Sequence, residues 1–161
     1  MIRPQELAGA FERNLEMIKM QTKGLSHEDS LLQPPFRGNC LNWVLGHIVE
    51  TRDRILELLG ELPIGGEGVR ARYGYGSEPV CADGEGVLRL ETLLEALERS
   101  QERINAALQR ITAAELAKET EDHRGKTTVA ERLFFLYFHE TYHVGQTELL
   151  RQLAGTNDKV I

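Results

Sequence analysis

Residues 134–146 read Phe-Phe-Leu-Tyr-Phe-His-Glu-Thr-Tyr-His-Val-Gly-Gln, and the segment around them has the pattern of one long helix. His139 and His143 are four residues apart, so in a helix both imidazoles leave the same face about one turn apart. Two neutral imidazoles in this arrangement can bind one divalent metal ion. The apolar residues before the pair favour a mostly buried position, and an ordinary pair of core or surface histidines is the alternative. The rest of the chain must therefore supply a further ligand and a pocket.

Four amphipathic segments predict an all-α fold, a four-helix bundle in a single domain spanning residues 1–161. Apolar residues recur in them at helical spacing, capping residues stand at several starts, and glycine follows several ends. No run of useful length alternates polar and apolar residues, so no strand is predicted. The predicted helices are 4–23, 40–59, 90–111 and 128–154, with short capped turns after Ser26 and Thr112.

The second and third predicted helices are joined by a long glycine-rich connection, residues 61–86. Long loops in compact domains often cover functional sites, although a flexible crossover is the plainer interpretation. Arg70, Arg72 and Tyr73 lie in it and are candidates for contacting a substrate. A connection of this length also allows the two helices that it joins to run parallel.

The composition is that of a globular protein, and it argues against nucleic acid and membranes as partners. The net charge is -6, which disfavours nucleic-acid binding through general electrostatics. No apolar run approaches the length of a membrane span, and the N-terminal residues do not form a signal sequence. Cys40 and Cys81 provide no disulfide framework, which favours a reducing compartment, and we expect a cytoplasmic protein. His27 and His123 stand among polar residues and are expected to be exposed.

His47 is the candidate for a third metal ligand. It follows Gly46 within an apolar part of the second predicted helix, where a lone histidine is more often a core residue. Three imidazoles would leave open coordination positions, as in catalytic rather than structural sites. Such a set suits Zn, Ni, Fe or Co. Arg52, five residues later, is expected on a solvated charged face, with a position overlooking the site as the alternative.

Two other interpretations of the histidines have less support. His139-Glu140-x-x-His143 matches the H-E-x-x-H signature of zinc proteases, but the downstream ligand and the substrate-binding sheet of those enzymes are missing. A di-iron bundle needs two Glu-x-x-His pairs, and Glu140-x-x-His143 is a single pair.

The segments 42–47, ending in Gly46-His47, and 139–146, with the pattern H-x-x-x-H-x-G-Q, resemble the DinB-like (YfiT-like) superfamily of four-helix-bundle metalloproteins. The resemblance implies an up-down-down-up bundle, often a homodimer, in which His47, His139 and His143 bind the metal. It suggests that Gln146 orients a ligand or a bound water. Glu140 is a weak candidate for a general base.

The resemblance also implies a class of activity. Characterised branches of the superfamily include S-transferases and isomerases that depend on glutathione, mycothiol or bacillithiol. We therefore expect a divalent-metal-dependent enzyme, of the thiol S-transferase or hydrolase type, that acts on a small molecule. Arg52, Arg70, Arg72 and Tyr73 are the weak candidates for binding substrate or a low-molecular-weight thiol. The alternatives are a non-catalytic metal-binding stress-response protein and a bundle without metal.

Overall fold

The computed structural model describes residues 3–158 of the 161-residue chain. The predicted bounds of all four long helices agree with the structure within one residue at each end. In chain order the elements are α1 (Pro4–Thr22), α2 (His27–Ser30), α3 (Leu41–Leu58), α4 (Gly66–Tyr73), α5 (Leu90–Arg110), α6 (Ala113–Leu116), β1 (Glu119–Asp122), β2 (Gly125–Thr128) and α7 (Val129–Leu153).

The four long helices, α1, α3, α5 and α7, form a bundle with the predicted up-down-down-up order. Contacts between α1 and α7 advance in the same direction along both helices, because Asn14 meets Glu140 and Gln21 meets Glu148. Along α3, Asn42 meets the carbonyl of Leu88 just before α5, and Arg52 meets the carbonyl of Leu97 within it, so these two helices are parallel. Helix α1 runs antiparallel to α5, and α7 runs antiparallel to α3.

Apolar side chains fill the bundle in two clusters, and a polar layer separates them. One cluster includes Leu45 and Leu97, and the other includes Phe11 and Leu133. On every long helix at least one buried polar residue lies between the positions that contribute to the two clusters. Four of these residues, one from each helix, are joined by hydrogen bonds and form the polar layer: Asn14, Arg52, Ser100 and Glu140.

Three capping boxes predicted from the sequence are present. The side chains of Ser26, Thr112 and Thr128 each accept a hydrogen bond from the backbone N–H three residues later. These bonds satisfy N–H groups that have no partner within the helix. The third box fixes the start of α7 and therefore the position of everything that follows along it.

The prediction that the chain has no strand was wrong for residues 119–128. They form a small antiparallel hairpin, β1–β2, in which Glu119 pairs with Thr128 and Asp122 pairs with Gly125. Each strand has four residues and the hairpin packs against α7, so it does not alter the all-α bundle. It is the part of the chain that leads directly into the helix carrying the histidine pair.

The long crossover contains a helix, α4, which is anchored to α3. The carboxylate of Asp53 accepts the backbone N–H groups of Ile64, Gly65 and Gly66 at 2.6–3.0 Å. A carboxylate at a helix N-terminus satisfies unpaired donors and interacts favourably with the helix dipole. This contact holds α4 against the middle of α3.

The expectation that His27 is exposed was wrong, whereas His123 is exposed as expected. His27 is 1% exposed, and its Nδ1 accepts the backbone N–H of Leu90 at 3.2 Å. It is buried because α2 packs against the start of α5. Cys40 and Cys81 are both free. Within residues 3–158, none of the helices has the length and apolar character needed to cross a bilayer.

Candidate metal centre

The three candidate ligands come from two antiparallel helices that face each other. His47 projects from α3, and His139 and His143 project from successive turns of α7. The Nε2 atom of His139 lies 3.4 Å from Nε2 of His47 and 3.3 Å from Nε2 of His143. One nitrogen from each ring can be chosen so that all three lie within 4.8 Å of one another. The structure thus brings together the three histidines that the sequence singles out.

Two of the three distances between the nitrogens match those expected for a single tetrahedral ion. Two nitrogens at about 2.05 Å from such an ion, separated by the tetrahedral angle, are about 3.3 Å apart. The two measured Nε2–Nε2 distances are 3.3 and 3.4 Å. Among the described residues, no carboxylate or thiol joins this group, so the donor set is three imidazoles.

Two of the three rings are oriented by hydrogen bonds from their outer nitrogens. Nδ1–H of His47 donates to the backbone carbonyl of Tyr73 at 2.7 Å. Nδ1–H of His143 donates to Oε1 of Gln146 at 2.8 Å. Because the neutral ring has one N–H, both Nε2 atoms present lone pairs to the centre. Such outer bonds hold ligating histidines in the required tautomer.

Without a metal the cluster is poorly satisfied. His139 is the remaining source of an N–H, and both of its Nε2 contacts are longer than an ordinary hydrogen bond. Its Nδ1 is buried and has no hydrogen-bond partner among the described residues. A divalent ion would instead satisfy all three inward lone pairs at once, so the donor set fits a metal.

The rings are held in the neutral form that metal binding requires. Burial lowers the pKa of His139 to about 4, and the neighbouring rings of His143 and His47 and the guanidinium of Arg124 add to this effect. The pKa values of His47 and His143 are also lowered, chiefly by burial. Protons therefore compete little with a metal ion near neutral pH.

Gly46 explains how α4 reaches His47. A Cβ at Gly46 would lie 2.2–2.5 Å from ring carbons of Tyr73, so only glycine allows this ring to pack against α3. The Tyr73 hydroxyl donates to Oδ1 of Asn42 and accepts the N–H of Leu88. The ring of Trp43 stacks on the other side of His47 at 4.8 Å. The crossover thus positions one of the candidate ligands.

A cavity of about 310 Å³ opens beside the cluster and reaches His47 and His139. Its wall on α3 continues with Glu50 and Arg54, and the hairpin contributes Arg124. A volume of this size is at the lower end for small-molecule sites. The histidine cluster therefore forms one end of a ligand-sized space.

Arg52 and Glu140 do not line this cavity; they form an ion pair in the polar layer. The prediction that Arg52 lies on a solvated face was wrong, since it is 0% exposed. Its guanidinium makes two hydrogen bonds to the Glu140 carboxylate, at 2.9 and 2.8 Å, and donates to the carbonyls of Leu97 and Phe11. Full pairing compensates the cost of burying both charges.

The candidates from the crossover are also placed away from the cavity wall. Arg70 donates to the carboxylate of Glu57 at 2.7 Å, and Arg72 donates to the carbonyls of residues 78 and 79. Tyr73 is fully buried. The residue of this segment that lines the cavity is Tyr75, which is 84% exposed.

Sequence reasoning missed Glu50 and Arg124 as cavity residues. Glu50 follows His47 by three residues, so helical spacing places both on one face of α3, and this signal was available. Glu50 is 1% exposed, and burial raises the pKa of its carboxyl although Arg54 opposes the shift. Arg124 had no such signal, because its position depends on the hairpin.

Residues 10–147 match the family model of the DinB superfamily. The chain belongs to the DinB superfamily. A similar fold is found in a solved structure, described as the crystal structure of the conserved protein of locus from Enterococcus faecalis. It matches with a TM-score of 0.73 and 15% sequence identity, over 96% of this chain and 98% of that chain. At this identity the likeness concerns the fold alone. No curated protein matches the chain.

Proposed function

We propose that this DinB superfamily protein is a divalent-metal-dependent enzyme that acts on small molecules, with His47, His139 and His143 as the metal ligands. The observation that carries the proposal is the convergence of three neutral imidazoles beside a ligand-sized cavity, which His47 and His139 line. A three-histidine set leaves coordination positions open, which is the arrangement of catalytic sites.

The proposed reaction type is thiol S-transfer, with hydrolysis as the related possibility when water replaces the thiol. A divalent ion such as Zn, Ni or Fe supplies one function when bound, lowering the pKa of a thiol or water so that a nucleophile forms near neutral pH. The chain's own residues orient the ligands through the Tyr73 carbonyl and Gln146. The cavity walls then hold an electrophilic small molecule against the open face.

Metal content tests the first part of the proposal. His143→Ala removes one of three ligands and is expected to abolish stoichiometric metal after purification, measured by elemental analysis. His123→Ala, on the exposed turn of the hairpin, is the matched control and should retain the metal. Equal metal in both variants, or none in the parent protein after loading, would refute a three-histidine site.

Turnover tests the second part. The metal-loaded protein is assayed with a panel of low-molecular-weight thiols and the electrophile monobromobimane, and the His143→Ala variant reports the background. A rate that depends on metal and on one thiol supports S-transfer. Metal binding without turnover for any thiol, or of ester and amide substrates, would favour the non-catalytic metal-binding stress-response protein instead.

We also propose that the protein is a cytoplasmic homodimer. Two free cysteines fit a reducing compartment. An apolar stripe on α7 fits a self-complementary interface, and its residues are 51–62% exposed; they are Phe134, Phe138, Tyr142 and Leu149. Phe138→Lys should produce a monomer in light scattering after gel filtration. Leu62→Lys, at a single exposed leucine in the crossover, should leave the dimer unchanged.

A further inference from the structure

One side chain that lines the cavity, Glu50, has a buried carboxylate oxygen with no hydrogen-bond partner among residues 3–158. Oε1 of Glu50 accepts the Nε–H of Arg54 at 2.6 Å. Oε2 of Glu50 is buried and has no hydrogen-bond partner among residues 3–158. The side chain lines the cavity one helical turn from His47. A buried acceptor in this condition costs about 1–3 kcal/mol unless a ligand or solvent donor satisfies it.

Glu50 does not belong to the metal-ligand cluster. The group of donor atoms within 4.8 Å of one another contains the three histidines and no carboxylate from the described residues. Its carboxylate is therefore available to a second part of a bound ligand rather than to the ion.

One arginine at the cavity has no carboxylate partner in the described part of the chain. Arg54 and Arg132 also line the cavity, and they pair with Glu50 and Asp122. Arg124 makes no such pair; its guanidinium lies 4.1 Å from the centre of the Phe135 ring. Stacking on an aromatic ring holds an arginine in place while its outer N–H groups stay available.

We propose that this cavity binds a small zwitterionic ligand, with an amine donating to Oε2 of Glu50 and an acidic group on Arg124. This deepens the proposed function, on which it rests, because it gives the chemical class of the thiol or acceptor used there. Both contacts are charge-assisted and therefore among the stronger hydrogen bonds. The two anchors have opposite charges and come from different elements, α3 and the hairpin, so they also fix the ligand's direction.

Four small thiols distinguish the contribution of the Glu50 contact to binding from that of the Arg124 contact. Cysteine has both an amine and a carboxylate, cysteamine has only the amine, 3-mercaptopropionate has only the carboxylate, and 2-mercaptoethanol has neither. Each is titrated into the Co²⁺-loaded protein, and binding is measured by calorimetry and by the thiolate-to-cobalt absorption band. We expect each charged group to tighten binding by about tenfold, with cysteine binding tightest.

Two variants assign each gain to a side chain. Glu50→Gln should remove the gain in affinity that the ligand's amine provides and keep the gain that its carboxylate provides. Arg124→Gln should remove the gain from the ligand's carboxylate and keep the gain from its amine. Glu102→Gln and Arg99→Gln, both on the exposed face of α5 and away from the cavity, are the matched controls. Equal affinities for the four thiols in the parent protein, or variants that leave both gains unchanged, would overturn the proposal.

Failure of the proposed function has a different signature. If the protein binds no Co²⁺, or if Co²⁺ binds and no thiol produces the absorption band, the thiol mechanism fails. The zwitterion site is then tested on the metal-free protein with 2-aminobutyrate, a cysteine analogue without sulfur, by amide chemical-shift changes in NMR spectra. Changes at the Glu50 and Arg124 amides support the site, and an unchanged spectrum at millimolar ligand overturns it.

Discussion

Replacing Gly46 by alanine should destabilise the protein, although alanine is the better helix former. The added Cβ would lie 2.2 Å from Cδ1 of Tyr73, whereas carbon atoms in contact are about 3.5–4.0 Å apart. The Tyr73 ring, 0% exposed, must therefore move by more than about 1 Å. That movement would weaken the hydrogen bonds that the Tyr73 hydroxyl makes to Asn42 and Leu88. It would also weaken the hydrogen bond between the Tyr73 carbonyl and His47.

The magnitude follows from three contributions. Overpacking a core costs about 1–3 kcal/mol, and the two hydroxyl bonds contribute about 1 kcal/mol each. The higher helix propensity of alanine relative to glycine offsets about 1 kcal/mol of this loss. The free energy of unfolding of the metal-free Gly46→Ala protein should thus fall by about 2–4 kcal/mol. Metal affinity should fall as well, by about 10–100-fold, because the Tyr73 carbonyl orients His47.

Urea unfolding of the metal-free proteins, followed by circular dichroism, measures the first effect. Gly9→Ala is the matched control, since Gly9 is also inside a long helix and a Cβ there would meet nothing within 4 Å. It should stabilise the protein by about 0.5–1 kcal/mol. If Gly46→Ala is as stable as Gly9→Ala, the close contact between Tyr73 and α3 is absent and the account of how His47 is positioned fails.

Three further predictions concern the polar layer and the metal centre. Glu140→Gln leaves the buried guanidinium of Arg52 without its counter-charge, so the free energy of unfolding in urea should fall by about 3–5 kcal/mol. Unchanged stability with lost activity would instead indicate that Glu140 acts as a general base. Burial holds the pKa of His139 at about 4, so between pH 6.5 and 4 the unfolded chain takes up a proton that the fold does not. Stability of the metal-free protein should therefore fall across this window and stay level above pH 7. Because the ring of His139 is partly exposed and solvent screens its charge, the loss should be on the order of 1–2 kcal/mol, and a flat profile from pH 7 to 4 contradicts this. Gln146→Leu removes the acceptor for Nδ1–H of His143, so competition with a chelator should show about 10–100-fold weaker metal binding without loss of metal-free stability.

The long helices could be predicted from the sequence because their signals are local. The capping box at Thr128 and the glycine at residue 155 mark the limits of α7, and the apolar spacing between them marks its buried face. The histidine pair was predictable for the same reason, since four-residue spacing within a helix determines which side chains share a face. His47 was identified as a third candidate only because a pair needs a partner.

The hairpin and the buried ion pair could not be read from local patterns. Residues 119–122 and 125–128 are polar throughout, so neither strand has the alternation that marks a half-buried strand. Arg52 is followed by Asp53 and Arg54, a charge run typical of a solvated surface. Its burial depends on Glu140, 88 residues away in the chain, and only the packing of the bundle brings the two together.

The polar layer has a consequence for how precisely the helices are set against one another. Apolar clusters tolerate sliding, because one aliphatic side chain can replace another at an interface. The guanidinium of Arg52 on α3 bonds to groups on α1, α5 and α7, so it does not tolerate sliding. A shift of one helix by a turn, about 5.4 Å, would leave the charge of Arg52 among aliphatic groups without its hydrogen-bond partners. We expect the layer to lock the axial register of all four helices, and with it the height at which His47 meets the two histidines on either side of Glu140.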